Sequence, residues 1–167
     1  KIFADIDVFD IEINEKDPDK FVDVVKSIST TFGGINLEDI KAPEAFKIEK
    51  DLIEQLDIPV MHDDQHGTAI ISAAALLNAL ELVDKKIEDV KIVVSGAGAA
   101  AVACTNLYIS FGAKRQNIVM TDSKGVISKS RNNLTDEKKY FATDRKISSL
   151  EEAMVDSDVF IGLSMAN

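Results

Sequence analysis

The spacing of apolar residues along the chain changes near Gly67, and the two parts predict different architectures. Residues 2–13 alternate apolar and acidic side chains, which predicts a strand. A helix should begin at Pro18, after an acidic cap, and stop at Gly33. Before Gly67 we further predict a short strand or turn at residues 35–40, a helix opening at Pro43 and a short apolar run at residues 58–61.

After Gly67 the pattern alternates between strands and helices. Residues 68–82 are rich in Ala, Leu and Ile and predict a helix buried on most of its surface. The elements that follow are a strand at 91–95, a helix at 99–111, a strand at 116–122, a polar loop at 123–146 with a short helix near 135–142, a helix at 149–154 and a strand at 159–163. Such alternation predicts an α/β fold with a Rossmann-like, doubly wound parallel sheet over residues 68–167. A smaller α/β domain should precede it over residues 1–67.

Composition narrows the class of function. The chain has 167 residues and a formal net charge of -10, which argues against a nucleic-acid partner. The longest apolar stretch is interrupted by Ser72 and Asn78 and is too short to cross a bilayer, so we expect no membrane partner. Cys104 is the single cysteine, in keeping with a reducing, cytoplasmic location. Because the chain begins at Lys1 and a predicted strand lies close to its last residue, we expect both ends to be cut.

A glycine-rich turn between the first predicted strand and helix of the larger domain carries the clearest chemistry. Its sequence follows GxGxxA, where the first glycine allows a tight turn, the second lets the backbone approach a pyrophosphate, and the small third residue lets the helix pack on the strand. We predict dinucleotide contacts from Gly96, Ala97, Gly98, Ala99 and Ala101. Asp122, at the end of the next strand, should hold the adenosine ribose. The alternative is a turn that is glycine-rich for packing only.

Two pairs of adjacent acids form a second constellation. Glu38 and Asp39 lie in the short strand or turn at residues 35–40, and Asp63 and Asp64 stand at the end of an apolar run. Adjacent acids are usually a solvated surface. Carboxylates on two loops beside a dinucleotide fold would nevertheless suit Mg²⁺ or Mn²⁺, which bind a few carboxylate oxygens together with water and substrate.

Four other side chains carry weaker signals. His62 and His66 have the spacing of zinc-binding helices, but Asp63 stands where the zinc protease signature has Glu, and we prefer histidines that pack or hydrogen-bond around the loop. Lys124 either contacts a 2′-phosphate of the cofactor or is merely a turn lysine. Cys104 should be a small buried residue of its helix.

Several stretches resemble the short, bacterial-type malic enzymes. They read FADIDVFD from Phe3, FGGINLEDI from Phe32 and IPVMHDDQHGTA from Ile58, and the glycine turn completes the set. The resemblance extends over essentially the whole chain. It implies the C-terminal part of a malic-enzyme N-terminal domain over residues 1–67 and the first part of an NAD(P)-binding domain over residues 68–167.

The resemblance also implies a reaction and roles for named residues. The reaction is metal-dependent oxidative decarboxylation of (S)-malate to pyruvate and CO₂ with reduction of NAD or NADP. Glu38, Asp39 and Asp64 would ligate Mg²⁺ or Mn²⁺, and Asp63 would assist a general-base lysine. We expect a homodimer or larger assembly.

The chain departs from the family pattern at two reactive positions. The family's lysine and its proton-donor tyrosine lie upstream of the matched residues, and neither Tyr108 nor Tyr140 stands in the tyrosine's motif. We therefore expect this chain to be inactive alone. Two other classes stay open: an oxidoreductase resembling amino-acid dehydrogenases, which needs no metal, and a nucleotide-binding module without turnover.

Overall fold

The computed structural model describes residues 4–164. These residues form two β-sheets, each packed against helices. The smaller sheet belongs to a unit in the order α1 (Pro18–Ser29), β1 (Ile35–Leu37), α2 (Glu44–Gln55) and β2 (Val60–His62). β1 and β2 are parallel, with Leu37 opposite His62. A core of Val22, Val25, Leu37, Ile48 and Leu52 joins the two helices to this sheet. The side chain of Asp17 caps α1, which ends at Ser29 rather than at the predicted Gly33.

The predicted strand over residues 2–13 is wrong for its described part. Residues 4–16 have no regular secondary structure, and residues 2 and 3 lie outside the described range. Alternating apolar side chains produce a strand only where a neighbour accepts its hydrogen bonds and a core covers one face. Within residues 4–164 no strand pairs with this segment. Ile13 packs against the small core, and the other large apolar side chains are exposed, namely Ile6, Val8, Phe9 and Ile11.

A single long helix, α3 (Asp63–Leu82), connects the smaller sheet to the larger one. It begins five residues before the predicted start at Thr68, so Gly67 lies inside it. A glycine costs a helix interior only about 1 kcal/mol relative to alanine and does not end it. The predicted start of this helix at Thr68 was therefore wrong. No helix within residues 4–164 has the length and apolar character needed to cross a membrane.

The larger sheet has the strand order β5-β4-β3-β6. Its elements are β3 (Ile92–Ser95), α4 (Ala99–Ser110), a 3-10 turn (Arg115–Asn117), β4 (Ile118–Asp122), β5 (Gly125–Val126), α5 (Asp136–Tyr140), α6 (Leu150–Met154) and β6 (Val159–Gly162). β3 is parallel to both β4 and β6, as predicted. The sequence did not predict β5, which pairs antiparallel with β4. A two-residue strand within a polar loop is too short to leave a periodic pattern.

Helices cover both faces of this sheet, which is the doubly wound arrangement. Ile92 and Val94 point into the main core with α3 and α4, and that core includes Tyr108 and Cys104. Val93, between them, points to the opposite face and packs with Ala153 of α6. The alternation follows from the two-residue period of a strand.

Candidate functional site

The glycine turn lies where the sheet's connections diverge. From β3 the chain passes through α4 to β4 on one side, and it returns later to β6 on the other side of β3. In open α/β sheets, ligands bind at such a switch point, beyond the carboxyl ends of the strands. The Gly96 amide donates to the Thr121 carbonyl oxygen at 3.0 Å, and the Leu163 amide donates to the Ser95 carbonyl oxygen at 2.7 Å. The predicted cofactor residues therefore stand between β4 and β6.

Gly96 and Gly98 have different structural reasons to be glycine. Gly96 has φ of +120°, and a Cβ there would lie 2.5 Å from the Leu163 carbonyl oxygen. Gly98 has ordinary backbone angles and nothing within 4 Å of an added Cβ. Because Gly98 is also the N-cap of α4, the open space faces the amides of the first helical turn, where a pyrophosphate can bind. The buried Ala101 packs in the core, while Ala97 and Ala99 are half-buried at the turn.

Asp122 is surrounded by cationic side chains that the sequence did not single out. Arg131 donates to both carboxylate oxygens, at 2.9 and 3.0 Å, and Lys138 Nζ donates to Oδ2 at 2.9 Å. The backbone amide of Lys124 adds a fourth bond of 2.9 Å, while the Lys124 side chain is exposed. Partial burial opposes ionisation of Asp122, but these hydrogen bonds outweigh it and hold its pKa well below its usual range. Arg131 and Lys138 come from the loop and short helix after β5, and the sequence pattern gave no sign that either side chain contacts Asp122.

The two acid pairs follow the carboxyl ends of the two neighbouring strands of the smaller sheet. Because β1 and β2 are parallel and Leu37 lies opposite His62, Glu38 and Asp63 each follow the last residue of neighbouring strands. Glu38 accepts a bond of 3.1 Å from the Asn36 side chain. Within residues 4–164, no hydrogen bond or ion pair reaches the carboxylates of Asp39, Asp63 or Asp64. We call Glu38, Asp39, Asp63 and Asp64 the carboxylate edge.

The carboxylate edge offers the ligand type that divalent cations prefer, but it does not form a complete coordination site. In the described part of the chain, no three His, Cys, Asp or Glu side chains are gathered closely enough to hold an ion. Mg²⁺ usually takes only one or two protein carboxylates and fills its shell with water and substrate. The donor set therefore fits Mg²⁺ or Mn²⁺ in charge and in ligand type.

Local backbone features shape this edge. Asp39 adopts φ of +54°, the left-handed region, which Asp tolerates better than most side chains. Asp63 is half-buried in the first turn of α3, and a Cβ on Gly67 would lie 2.1 Å from Asp63 Oδ1. Gly67 thus provides the space that the Asp63 carboxylate occupies.

His62 forms a hydrogen bond around this edge, as predicted, and His66 lies in close contact with Glu49. His62 is fully buried, and its Nε2 lies 3.1 Å from the Ile40 carbonyl oxygen. His66 Nε2 lies 2.9 Å from Glu49 Oε1. Each ring is thus held by an oxygen of the chain itself.

Cys104 is fully buried, as predicted, and lies between α3 and α4. Burial raises the pKa of its thiol. The neighbouring Tyr108 hydroxyl is hydrogen-bonded to Ser72. These groups belong to the core rather than to either predicted site.

The comparisons with known proteins agree along the chain. Residues 65–167 match the family described as "Malic enzyme, NAD binding domain", and residues 4–53 match "Malic enzyme, N-terminal domain". An NADP-dependent malic enzyme of Haemophilus influenzae is 58% identical over 99% of this chain, which corresponds to 22% of that protein. An NAD-dependent malic enzyme of Rhizobium meliloti is 55% identical, with the same two coverages.

A solved structure, the NAD-dependent malic enzyme of Thermotoga maritima, superposes with a TM-score of 0.91 at 42% identity. The match covers 99% of this chain and 45% of that one. The chain thus spans less than half the length of the relatives cited here.

Proposed function

The chain belongs to the malic enzyme family, and on that premise we propose that the protein catalyses oxidative decarboxylation of (S)-malate to pyruvate and CO₂. The family match assigns an oxidoreductase with an NAD-binding domain. The observation that carries the specific reaction is the carboxylate edge in a chain that also contains a dinucleotide turn. An oxidation assisted by a divalent cation needs both features.

In this proposal each site has a defined task. A bound Mg²⁺ or Mn²⁺ would supply Lewis-acid polarisation of the substrate's C2 oxygen, and the dinucleotide would accept the hydride. Glu38, Asp39 and Asp64 would hold the cation through carboxylate oxygens. Asp63 would orient the amine of a general-base lysine. The pyrophosphate would approach the backbone at Gly98, where no side chain is in the way, and would bind the amides of the first turn of α4. This contact would orient the nicotinamide.

We propose that NADP is preferred over NAD. A ribose 2′-hydroxyl needs a free acceptor, but the Asp122 oxygens are already engaged by Arg131, Lys138 and a backbone amide. The same two cations would favour the 2′-phosphate of NADP, because charge-assisted bonds to phosphate are strong. The relatives include enzymes named for each cofactor, so the family alone leaves the preference open.

We also propose that the 167-residue chain does not turn over malate by itself. No residue of this sequence stands in the motif of the family's lysine or tyrosine. Tyr108 is fully buried and bonded to Ser72, so it is unavailable for proton donation.

The test uses the complete protein as its gene encodes it. We expect malate-dependent NADPH formation with stoichiometric pyruvate, loss of activity on chelation and recovery with Mn²⁺. Glu38→Gln should lower kcat/KM by at least about 100-fold, because Lewis-acid stabilisation is worth several kcal/mol. The control is Glu54→Gln, which changes an exposed acid of α2 that pairs with Lys50. Turnover that resists chelation, or equal activity in both variants, would refute the proposal.

A further inference from the structure

Glu49 is a buried carboxylate on the apolar side of α2. Its neighbours on that side are Ala45, Ile48 and Leu52, all buried in the core. Glu49 itself is only 8% exposed. Burying a carboxylate is unfavourable unless its oxygens are hydrogen-bonded, so the residue needs compensating partners.

All the donors to Glu49 come from the segment that contains Asp63 and Asp64. Oε1 accepts from the His62 backbone amide at 2.8 Å and lies 2.9 Å from His66 Nε2. Oε2 accepts from the Gln65 side chain at 3.3 Å. His62 is the N-cap of α3, and its side chain makes no capping hydrogen bond. Glu49, which lies on α2, accepts the hydrogen bond from the His62 backbone amide. Three contacts therefore fix the first turn of α3 against α2.

The same network extends to the other acid pair. The His62 ring is bonded through Nε2 to the carbonyl oxygen of Ile40, the residue after Asp39. His62 thus links the loop after β1 to the helix that begins after β2, and Glu49 holds His62 by its amide. Both halves of the carboxylate edge are connected through buried bonds to one side chain.

We propose that Glu49 is the positioning residue of the carboxylate edge. It connects the segments that carry the two acid pairs, whose carboxylates would ligate a divalent cation, and it would not itself be a ligand. This inference rests on the proposed function, because it needs the carboxylate edge to bind a metal. Outer partners that orient metal ligands typically change affinity by about 10- to 100-fold when they are removed.

The test compares Glu49→Leu and Glu49→Gln in the complete protein. Glu49→Leu removes every acceptor and should weaken Mn²⁺ binding by about 10- to 100-fold in calorimetry. Glu49→Gln keeps one acceptor oxygen for the His62 amide, so its loss should be smaller. Dinucleotide affinity should stay at the wild-type value in both, since the glycine turn lies on the larger sheet. Glu54→Gln, on the solvent side of the same helix, is the matched control and should bind Mn²⁺ normally.

Wild-type Mn²⁺ affinity in the Glu49 variants would overturn the inference. An equal loss of Mn²⁺ and dinucleotide affinity would also overturn it, because it would indicate a general structural role. If Glu49→Leu does not fold, Glu49→Gln decides alone by the same two criteria. Asp64→Asn, measured in the same experiment, distinguishes failure of this inference from failure of the proposed metal site. If it abolishes binding while the Glu49 variants do not, only the inference fails, and if it changes nothing, the proposed metal site fails as well.

Discussion

The two glycines of the dinucleotide turn serve different purposes at the residue scale. Gly96 combines a positive φ with a carbonyl oxygen 2.5 Å from where a Cβ would lie, so any side chain there strains the backbone against β6. Gly98 has open space above it. The first glycine is required by the fold, and the second by the proposed ligand.

Substitution of each glycine by alanine should distinguish the role in the fold from the role in dinucleotide binding. We expect Gly96→Ala to destabilise the protein by roughly 1–3 kcal/mol, since strained backbone positions cost about that much. It should weaken dinucleotide binding as well. Gly98→Ala should keep the wild-type melting temperature and lose dinucleotide affinity, because only the approach of the pyrophosphate is blocked. Thermal unfolding and a dinucleotide titration check both. A Gly98→Ala variant that binds normally would contradict the assignment.

Asp122 should contribute to stability through its ion pairs with Arg131 and Lys138. Its folded-state pKa is depressed, so the contribution is present at neutral pH and is lost as the pH falls through the folded pKa. We expect Asp122→Asn to lower the free energy of unfolding at pH 7 by about 1–3 kcal/mol. The difference from wild type should shrink below about pH 4, where the unfolded carboxyl begins to protonate. Denaturant unfolding at several pH values measures it, with the exposed Asp136→Asn as control. A difference that persists in acid would contradict the ion-pair account.

Lys138 should determine the choice between NADP and NAD. We expect Lys138→Ala to lower the kcat/KM ratio of NADP to NAD by about 10- to 100-fold, because a bond to a charged group contributes roughly 1.5–3 kcal/mol. Lys139→Ala is the matched control, since Lys139 is exposed and pairs with Asp136. An unchanged ratio in Lys138→Ala would remove the argument for NADP.

At the scale of elements, the start of α3 connects fold to site. The helix begins at Asp63, and Gly67 leaves room one turn later for the Asp63 carboxylate. The same glycine made the sequence predict a helix beginning only at Thr68. Local propensity was outweighed because Glu49, remote in sequence, holds the cap amide of His62.

Gly67→Ala should stabilise the helix while disturbing the site. Alanine favours a helix interior by about 1 kcal/mol over glycine, and the displaced atom is the end of a rotatable side chain. We therefore expect an unchanged or higher melting temperature together with reduced kcat. Gly33→Ala, with nothing within 4 Å of the added Cβ, is the control and should leave kcat unchanged. Full activity in Gly67→Ala would mean that the position of Asp63 is unimportant.

Other elements mark where sequence patterns succeed. β3, α4, β4 and β6 were predicted closely because strand and helix periods alternate there and one buried core enforces both. The strand expected over residues 2–13 failed because alternation cannot supply a pairing partner. At the site, residue types identified the carboxylates and the glycines. Arg131 and Lys138 could not be found, since their meeting with Asp122 depends on a polar loop without periodicity.

Over the whole molecule, α3 is the structural link between the two sites. Its first turn carries two acids of the carboxylate edge, and its later residues, from Ala69 to Leu80, pack in the core of the larger sheet. One continuous helix thus connects the carboxylate edge to the core of the sheet that carries the glycine turn.

The central claim is that the carboxylate edge binds a divalent cation. Calorimetric titration of Mn²⁺ into the complete protein with malate present tests it most directly, comparing wild type with Asp64→Asn and with the exposed control Asp57→Asn. We predict saturable binding in wild type and Asp57→Asn, and none in Asp64→Asn. Equal binding in all three proteins, or none in any of them, would contradict the account.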